Sequence, residues 1–355
     1  MTDRKDVQIS FCLPVYNVRE YLDACIRSIY EQNIADFEII CVDDASTDGS
    51  REELERIAEN HREILVLHNE SNLGIGYARN RAIKNCAGKY IWFVDADDML
   101  VPDTAGLYLD IAEKTGADAV LGKCIVLSDP ENALPSFSGS DSFKTVDFSD
   151  PDQFYGVATS GRVCFGVWTG LFRRAFLLEN DVFFHEEIEA LEEYTFYVEF
   201  GVKLPRVVSV DHYGYYYRLR ASSASHESAK LRKVPEAAKT VLYIMEKLLV
   251  SYPRYEYTIR ANMARIERST ETCLVRFSDT DYVKKTLRYF KEKGFYPHSS
   301  SLAAYMMKPQ GRCRMLRTVF YRALRIEPFF WTIHYVLKIF RFFRRRGNRT
   351  GIEKG

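Results

Sequence analysis

Lys89-Tyr90-Ile91-Trp92-Phe93-Val94-Asp95-Ala96-Asp97-Asp98 is the stretch whose reading decides the fold. Its first six residues form a short apolar run with aromatic and β-branched side chains, which reads as a buried strand. Its last four place three carboxylates at the end of that strand, where like charges disfavour one another unless something cationic sits among them. Hard divalent ions such as Mg²⁺ and Mn²⁺ take oxygen ligands. An ion held by one or two carboxylates, with the rest of its shell open, suits a diphosphate. The plain alternative is an acidic turn that caps the next helix. The segments on either side weigh against it.

Upstream, Val7 to Leu13 reads as a strand that runs into the turn Pro14-Val15-Tyr16-Asn17, with Asn17 placed to cap a helix. Val18, Tyr21, Leu22, Cys25, Ile26 and Ile29 then share one helical face. Phe37 to Val42 is a second strand leading into Asp43-Asp44-Ala45-Ser46-Thr47-Asp48-Gly49, and Ser50 with Glu53 predicts a capping box. Ile64 to Leu67 is a third strand, followed by Asn69 to Gly76 and a helix through about Ala87, with Gly88 expected as its left-handed cap. Downstream come a helix from Asp103 to Gly116 and a strand from Asp118 to Leu127. This alternation predicts an α/β fold with a parallel sheet and helices on both faces. Such sheets bind ligands at the carboxyl ends of their strands. The polar clusters at Asn17, Asp43 to Asp48, Asn72 to Gly74 and Asp95 to Asp98 all follow strands, so they converge on one edge.

The chain has 355 residues, 46% of them hydrophobic and 28% charged, which supports a sizeable core and argues against global disorder. A formal net charge of zero argues against a dominant nucleic-acid footprint. The eight cysteines are scattered, without a C-x-x-C pair, which predicts a reducing compartment and no zinc site. The N-terminal residues show no signal-peptide apolar region, and no apolar run is long enough to span a bilayer. Ser128 to Asp150 reads as a loop or excursion. From Lys230 the pattern is helical, punctuated by Pro253 and Gly294. Gly74-Ile75-Gly76-Tyr77-Ala78-Arg79 looks like a dinucleotide loop but lacks the third glycine and does not follow the first strand.

Pro14 to Asn17, Val42 to Gly49, Asn72-Leu73-Gly74 with Ala78-Arg79-Asn80, and Gly88 to Asp98 together resemble the family 2 glycosyltransferases with the GT-A fold, over roughly Val7 to Ser225. The resemblance implies a mostly parallel nucleotide-binding sheet flanked by helices, followed here by a helical C-terminal extension. It implies inverting transfer of a sugar from a nucleotide-sugar, usually a UDP-sugar, with Mn²⁺ or Mg²⁺ as cofactor. By the same resemblance Pro14, Tyr16, Asn17, Asp43, Asp44, Asn72, Gly74, Arg79 and Ala96 line the nucleotide-sugar pocket. Asp95 lies near ribose and metal, and Asp97 is the main metal ligand. Asp98 is ambiguous, because the doubled aspartate allows two registers.

An inverting transfer needs a base for the acceptor hydroxyl's proton. The family places it in a Glu-Asp pair ahead of an aromatic, and Leu191-Glu192-Glu193-Tyr194-Thr195-Phe196 occupies that place. Glu193 stands where the aspartate is usual. Either Glu193 is the base or Glu192 shares the role, and a solvated acidic helix is the plain alternative. Tyr215 to Arg220 resembles a segment that closes over the diphosphate, with Arg218 and Arg220 on its oxygens. His212 and His226 are expected to be structural.

The expected organisation is a glycosyltransferase domain over 1–228 (a nucleotide-sugar half, 1–127, and an acceptor half, 151–228), a helical extension over 229–310, and a basic amphipathic tail over 311–355. Residues 311–349 hold eleven Lys/Arg and one acidic residue, Glu327. Arg314, Arg317, Arg322 and Arg325 lie opposite Met315, Leu316, Val319, Phe320, Ala323 and Ile326 at about 100° per residue. That pattern predicts docking on an anionic membrane, with a helix packed on the domain behind a solvated basic face as the plain alternative. With the scattered cysteines it predicts a cytoplasmic protein peripheral on the inner face of the cell membrane. The partners expected are the donor, a glycan or lipid-linked acceptor and that membrane surface, with no nucleic acid. A nucleotidyltransferase and a non-catalytic sugar-nucleotide-binding scaffold remain as alternatives.

Overall fold

The computed structural model describes residues 7–127, 143–147, 166–188, 191–219, 227–256 and 259. Arg220, His226, most of the 128–150 excursion, most of the helical extension and the whole basic tail lie outside the described residues.

The chain runs β1 (Ile9–Val15), α1 (Arg19–Tyr30), β2 (Phe37–Asp43), α2 (Ser50–Ala58), β3 (Ile64–His68), α3 (Ile75–Asn85), β4 (Tyr90–Phe93), β5 (Met99–Leu100), α4 (Thr104–Thr115) and β6 (Ala119–Leu127). It continues through β7 (Phe143–Asp147), a 3-10 turn (Val167–Thr169), β8 (Gly170–Arg173), α5 (Arg174–Glu179), α6 (Glu192–Val202), β9 (Arg206–Arg218) and α7 (Glu227–Ser251). One nine-stranded sheet has the order β3-β2-β1-β4-β8-β6-β9-β5, with β7 also on β9. The chain divides into two compact units, one of 1–226 with 243–259, the other of 227–242 with 260–355. Of the second, the described part is the first stretch of α7.

The sheet is parallel where the sequence predicts it, across β3, β2, β1 and β4. Beyond β4 it is mixed. β8 runs antiparallel to β4 and β6, and β5 and β7 run antiparallel to β9. Alternation along each strand sorts the core into two faces. Phe11, Leu13, Tyr90 and Trp92 meet Leu22, Ile26, Leu54, Tyr108 and Ile111 of α1, α2 and α4. On the other face Phe93 packs with Phe172, Phe184 and Phe196, and Phe172 in turn with Phe200. Phe196 and Phe200 stand four residues apart on α6, so this aromatic cluster seats that helix against the sheet.

Four local expectations are corrected. Asn17 does not cap α1. Val18 does, and the Asn17 amide oxygen accepts from the Thr47 N–H at 2.8 Å. No capping box forms at α2. Gly49 precedes it at φ 91°, the Ser50 hydroxyl bonds Asp48, and Glu53 pairs with Arg56. Gly88 is not a left-handed cap, since α3 ends at Asn85 and Gly88 is absent from the positive-φ glycines. A Cβ there would come within 2.4 Å of Ser10 Oγ, so glycine is required for close approach to β1. Within the expected excursion, residues 143–147 form β7.

At the amino end of the sheet, Ser10 Oγ donates to Glu38 Oε1 at 2.6 Å and accepts from the Gly88 N–H at 2.8 Å. The same Glu38 oxygen accepts from the Ala87 N–H at 2.5 Å. Ser10 and Glu38 are buried, so three parallel strands share one satisfied polar junction.

Candidate active site

The carboxyl ends of β1, β2 and β4 carry Pro14 to Asn17, Asp43-Asp44 and Asp95 to Asp98, as the strand–helix alternation predicts. Asn17, Ala45 and Leu191 hold positive φ (53°, 60° and 67°), a region that costs a non-glycine residue on the order of 1–3 kcal/mol and persists where surroundings over-determine it. All three lie next to candidate site residues.

Asp43 and Asp44 are both buried, and the fold uses both. Asp43 accepts from the Ser46 N–H at 3.1 Å and from Arg51 Nε at 2.9 Å. Burial works against its charge, but the bonds from Ser46, Arg51 and His68 hold its carboxyl below the usual value. Asp44 accepts from Asn69 Nδ2 at 2.6 Å and from the Leu73 and Gly74 N–H groups at 2.9 and 2.8 Å. It thereby shapes the loop through Asn72 and Gly74. Tyr16 is exposed beside them, Pro14 is half-buried and Ala96 is buried.

Arg79 holds the centre. It is 1% exposed, with its guanidinium over the Phe184 ring. Nη2 donates to Asp95 Oδ1 at 2.9 Å, and Nη1 donates to Glu192 Oε1 at 2.9 Å. Glu193 Oε1 stands 3.6 Å from Nη2. The buried Nε finds no partner among the described residues. Arg79 therefore reaches the candidate site through carboxylates rather than lining it openly. The adjacent Asn80 donates to the Phe184 carbonyl and to Glu186 and accepts from the Phe184 N–H. The sequence did not reveal this linkage, because Arg79 and Glu192 are 113 positions apart.

The acidic pair opens α6, where a helix N-terminus favours negative charge. Glu192 is buried, so the solvated acidic helix does not describe it. Burial pushes the Glu193 carboxyl up to about 8. Arg79 pulls it down, while Glu192 and Asp95 push it further up.

Asp98 is buried. Its Oδ1 accepts the Arg218 backbone N–H at 2.7 Å, and its Oδ2 has no partner among the described residues. Burial, with Asp97 and Asp95 nearby, pushes its carboxyl up to about 9. The Arg218 guanidinium lies over the Tyr21 ring. His212 bonds Thr104 and meets the edge of Tyr108, a structural setting as expected.

Among the described residues no three His, Cys, Asp or Glu side chains form a metal cluster. The crowded carboxyl groups of Asp95, Asp97 and Asp98 are the ones that could hold a hard divalent cation. Among the described residues, no helix is long and apolar enough to cross a membrane.

Residues 10–176 match the model of glycosyl transferase family 2. Glu192, Glu193 and Arg218 lie beyond that segment. The poly(ribitol-phosphate) beta-glucosyltransferase of Bacillus spizizenii is 30% identical over 60% of this chain and 32% of its own. The uncharacterized glycosyltransferase EpsJ of Bacillus subtilis is 31% identical over 61% of this chain and 62% of its own. The chain thus spans less than two thirds of either relative. Among solved structures, residues 1–349 of S. aureus TarS in complex with UDP-GlcNAc superpose with a TM-score of 0.52 at 20% identity, over 76% of this chain and 83% of that one. The mannosyltransferase PcManGT of Pyrobaculum calidifontis, in complex with GDP-Man and Mn²⁺, gives 0.52 at 18%, over 94% and 86%. At such identities the likeness is one of fold, here GT-A. The likeness to glycosyl transferase family 2 is carried by residues 10–176.

Proposed function

We propose that this chain transfers a sugar from a nucleotide-sugar, foremost a UDP-sugar, to a lipid-linked or polysaccharide acceptor, with inversion at the anomeric carbon. The observation that carries this reading is the meeting of the β4 acidic turn and the α6 acidic pair around Arg79. It brings the carboxylates that this reading assigns to donor and to acceptor around one guanidinium. The nucleotide-sugars bound by TarS and by the Pyrobaculum mannosyltransferase, and the polymer acceptor in the name of the Bacillus spizizenii relative, support the same reading.

In this reading Asp97, with Asp95, would hold Mg²⁺ or Mn²⁺, which would supply neutralising charge to the diphosphate leaving group. Glu193 takes the proton of the acceptor hydroxyl as its oxygen bonds the anomeric carbon and the bond to the diphosphate breaks. A carboxyl held near 8 by its surroundings is matched to proton transfer at neutral pH. The basic tail would place the enzyme on the cytoplasmic membrane face, beside a lipid-linked acceptor.

The test is a screen of nucleotide-sugars with Mn²⁺, reading nucleoside diphosphate release against surface-polysaccharide and lipid-linked acceptors, with NMR of the product linkage. Turnover with an inverted linkage supports the proposal. Nucleotide binding without turnover for every donor and acceptor overturns it in favour of a binding protein.

A further inference from the structure

The two glutamates that open α6 do not stand in equivalent places. Glu192 makes a direct ion pair with Arg79 at 2.9 Å, and its side chain is 10% exposed. Glu193 stands 3.6 Å from the same guanidinium and is 21% exposed. The other arm of the fork is fixed on Asp95 at 2.9 Å, on the turn after β4. A guanidinium is rigid and planar, so its two arms hold their partners at a set separation, which a lysine ammonium cannot do.

Further contacts stiffen the same bridge. Phe184 lies under the Arg79 guanidinium, and Asn80 pins the Phe184 backbone through both N–H and carbonyl. Phe184 also stacks on Phe196 of α6 at 4.5 Å. Leu191, at φ 67°, turns the chain into the helix immediately before Glu192.

We infer that Arg79 and Glu192 are positioning residues: the Asp95–Arg79–Glu192 strap sets the place of the first turn of α6 relative to the β4 acidic turn, and leaves Glu193 as the carboxylate that meets the acceptor. This rests on the reading of Glu193 as the base. It separates the roles of two residues that sequence leaves interchangeable.

The experiment compares Glu192→Gln, Glu192→Asp, Arg79→Lys, the Arg79→Lys/Glu192→Gln double variant and Glu193→Gln in the full chain, with thermal melts, donor KM and kcat. A base displaced by even an ångström loses on the order of a hundredfold in rate. Glu192→Gln is therefore expected to lower kcat by about tenfold to a hundredfold with donor KM within about twofold. Glu192→Asp, which keeps the charge, recovers part of the loss. The double variant is no slower than Arg79→Lys alone, because both substitutions cut one strap. Losses that multiply, or an unchanged kcat in Glu192→Gln, overturn the inference. If Arg79→Lys does not melt cooperatively, the Glu192→Gln and Glu192→Asp pair decides. A Glu193→Gln variant that keeps its turnover defeats the base reading, while non-additivity between Arg79 and Glu192 still reads the strap.

Discussion

The backbone N–H of Arg218 donates to Asp98 Oδ1 at 2.7 Å, joining the last strand of the sheet to the acidic turn after β4. The two residues are 120 positions apart. Asn at position 98 keeps an acceptor for that N–H, and Ala leaves it unpaired. Asp98→Ala should therefore cost about 0.5–1.5 kcal/mol of stability, the net scale of one hydrogen bond, while Asp98→Asn stays close to the parent. Urea unfolding in EDTA reads the difference, and equal losses in both variants would contradict it.

Asp97→Asn should remove the Mn²⁺-dependent part of UDP affinity and leave the melting temperature near that of the parent. The motive is the crowding of three carboxyl groups at Asp95, Asp97 and Asp98, which pushes the Asp98 carboxyl up. Calorimetric titration of UDP with Mn²⁺ and with EDTA checks it. Unchanged Mn²⁺ dependence in the variant counts against Asp97 as a ligand.

Glu193→Gln should lower turnover by about a hundredfold or more, the usual scale for losing a general base, with donor affinity retained. Because the Glu193 carboxyl lies near 8 and must be ionised to accept a proton, kcat/KM of the parent should rise with pH and level off above about 8. A profile flat from pH 6 to 9 would show another group at work.

His185 bonds Glu199 at 2.8 Å, and that bond, against the opposing effect of burial, raises its pKa above the ordinary 6.5. A raised histidine lends its stability fully below 6.5 and loses it as pH climbs through its folded value. The parent should accordingly become less stable as pH rises above 6.5 through the folded value of His185, and His185→Gln should lose that part of the slope. Chemical denaturation of parent and variant across a pH series is the measurement, and identical slopes would exclude a protonated His185–Glu199 pair.

Truncation before Gly311 should release the protein from anionic vesicles without ending transfer to a soluble acceptor. Each basic residue near such a surface contributes on the order of 1 kcal/mol, and salt weakens the attraction. Vesicle co-sedimentation of both forms at low and high salt tests this, and equal binding by the two forms removes the tail from the account.

The parallel half of the sheet was legible because each strand is a short, mostly apolar run followed by polar residues. The antiparallel half was not. β8 is four residues long, β5 is two, and β7 lies inside a stretch rich in Ser, Asp and Pro. Pairing settled those strands, and pairing is non-local. Asn17, Ser50 and Gly88 carry strong local preferences that the tertiary structure overrode with Thr47, with Asp48 and Val18, and with the backbone of β1. The acidic clusters could be read one by one, but not the arginine between them. Its partners come from the turn after β4 and from α6, and no spacing rule connects Arg79 with Glu192.

The polar junction of Ser10, Glu38 and Gly88 sits at the end of the strands remote from the acidic turns. Sliding β2 or β4 by one residue would turn its side chains to the wrong face and bury Glu38 without Ser10 or the Ala87 N–H. Such a misfolded arrangement carries an uncompensated buried carboxylate, so it is rejected before it can compete with the native pairing. The alignment of Asp43 with Asp95 across β1 is thus proofread at the far end of the sheet, by residues that never meet a substrate.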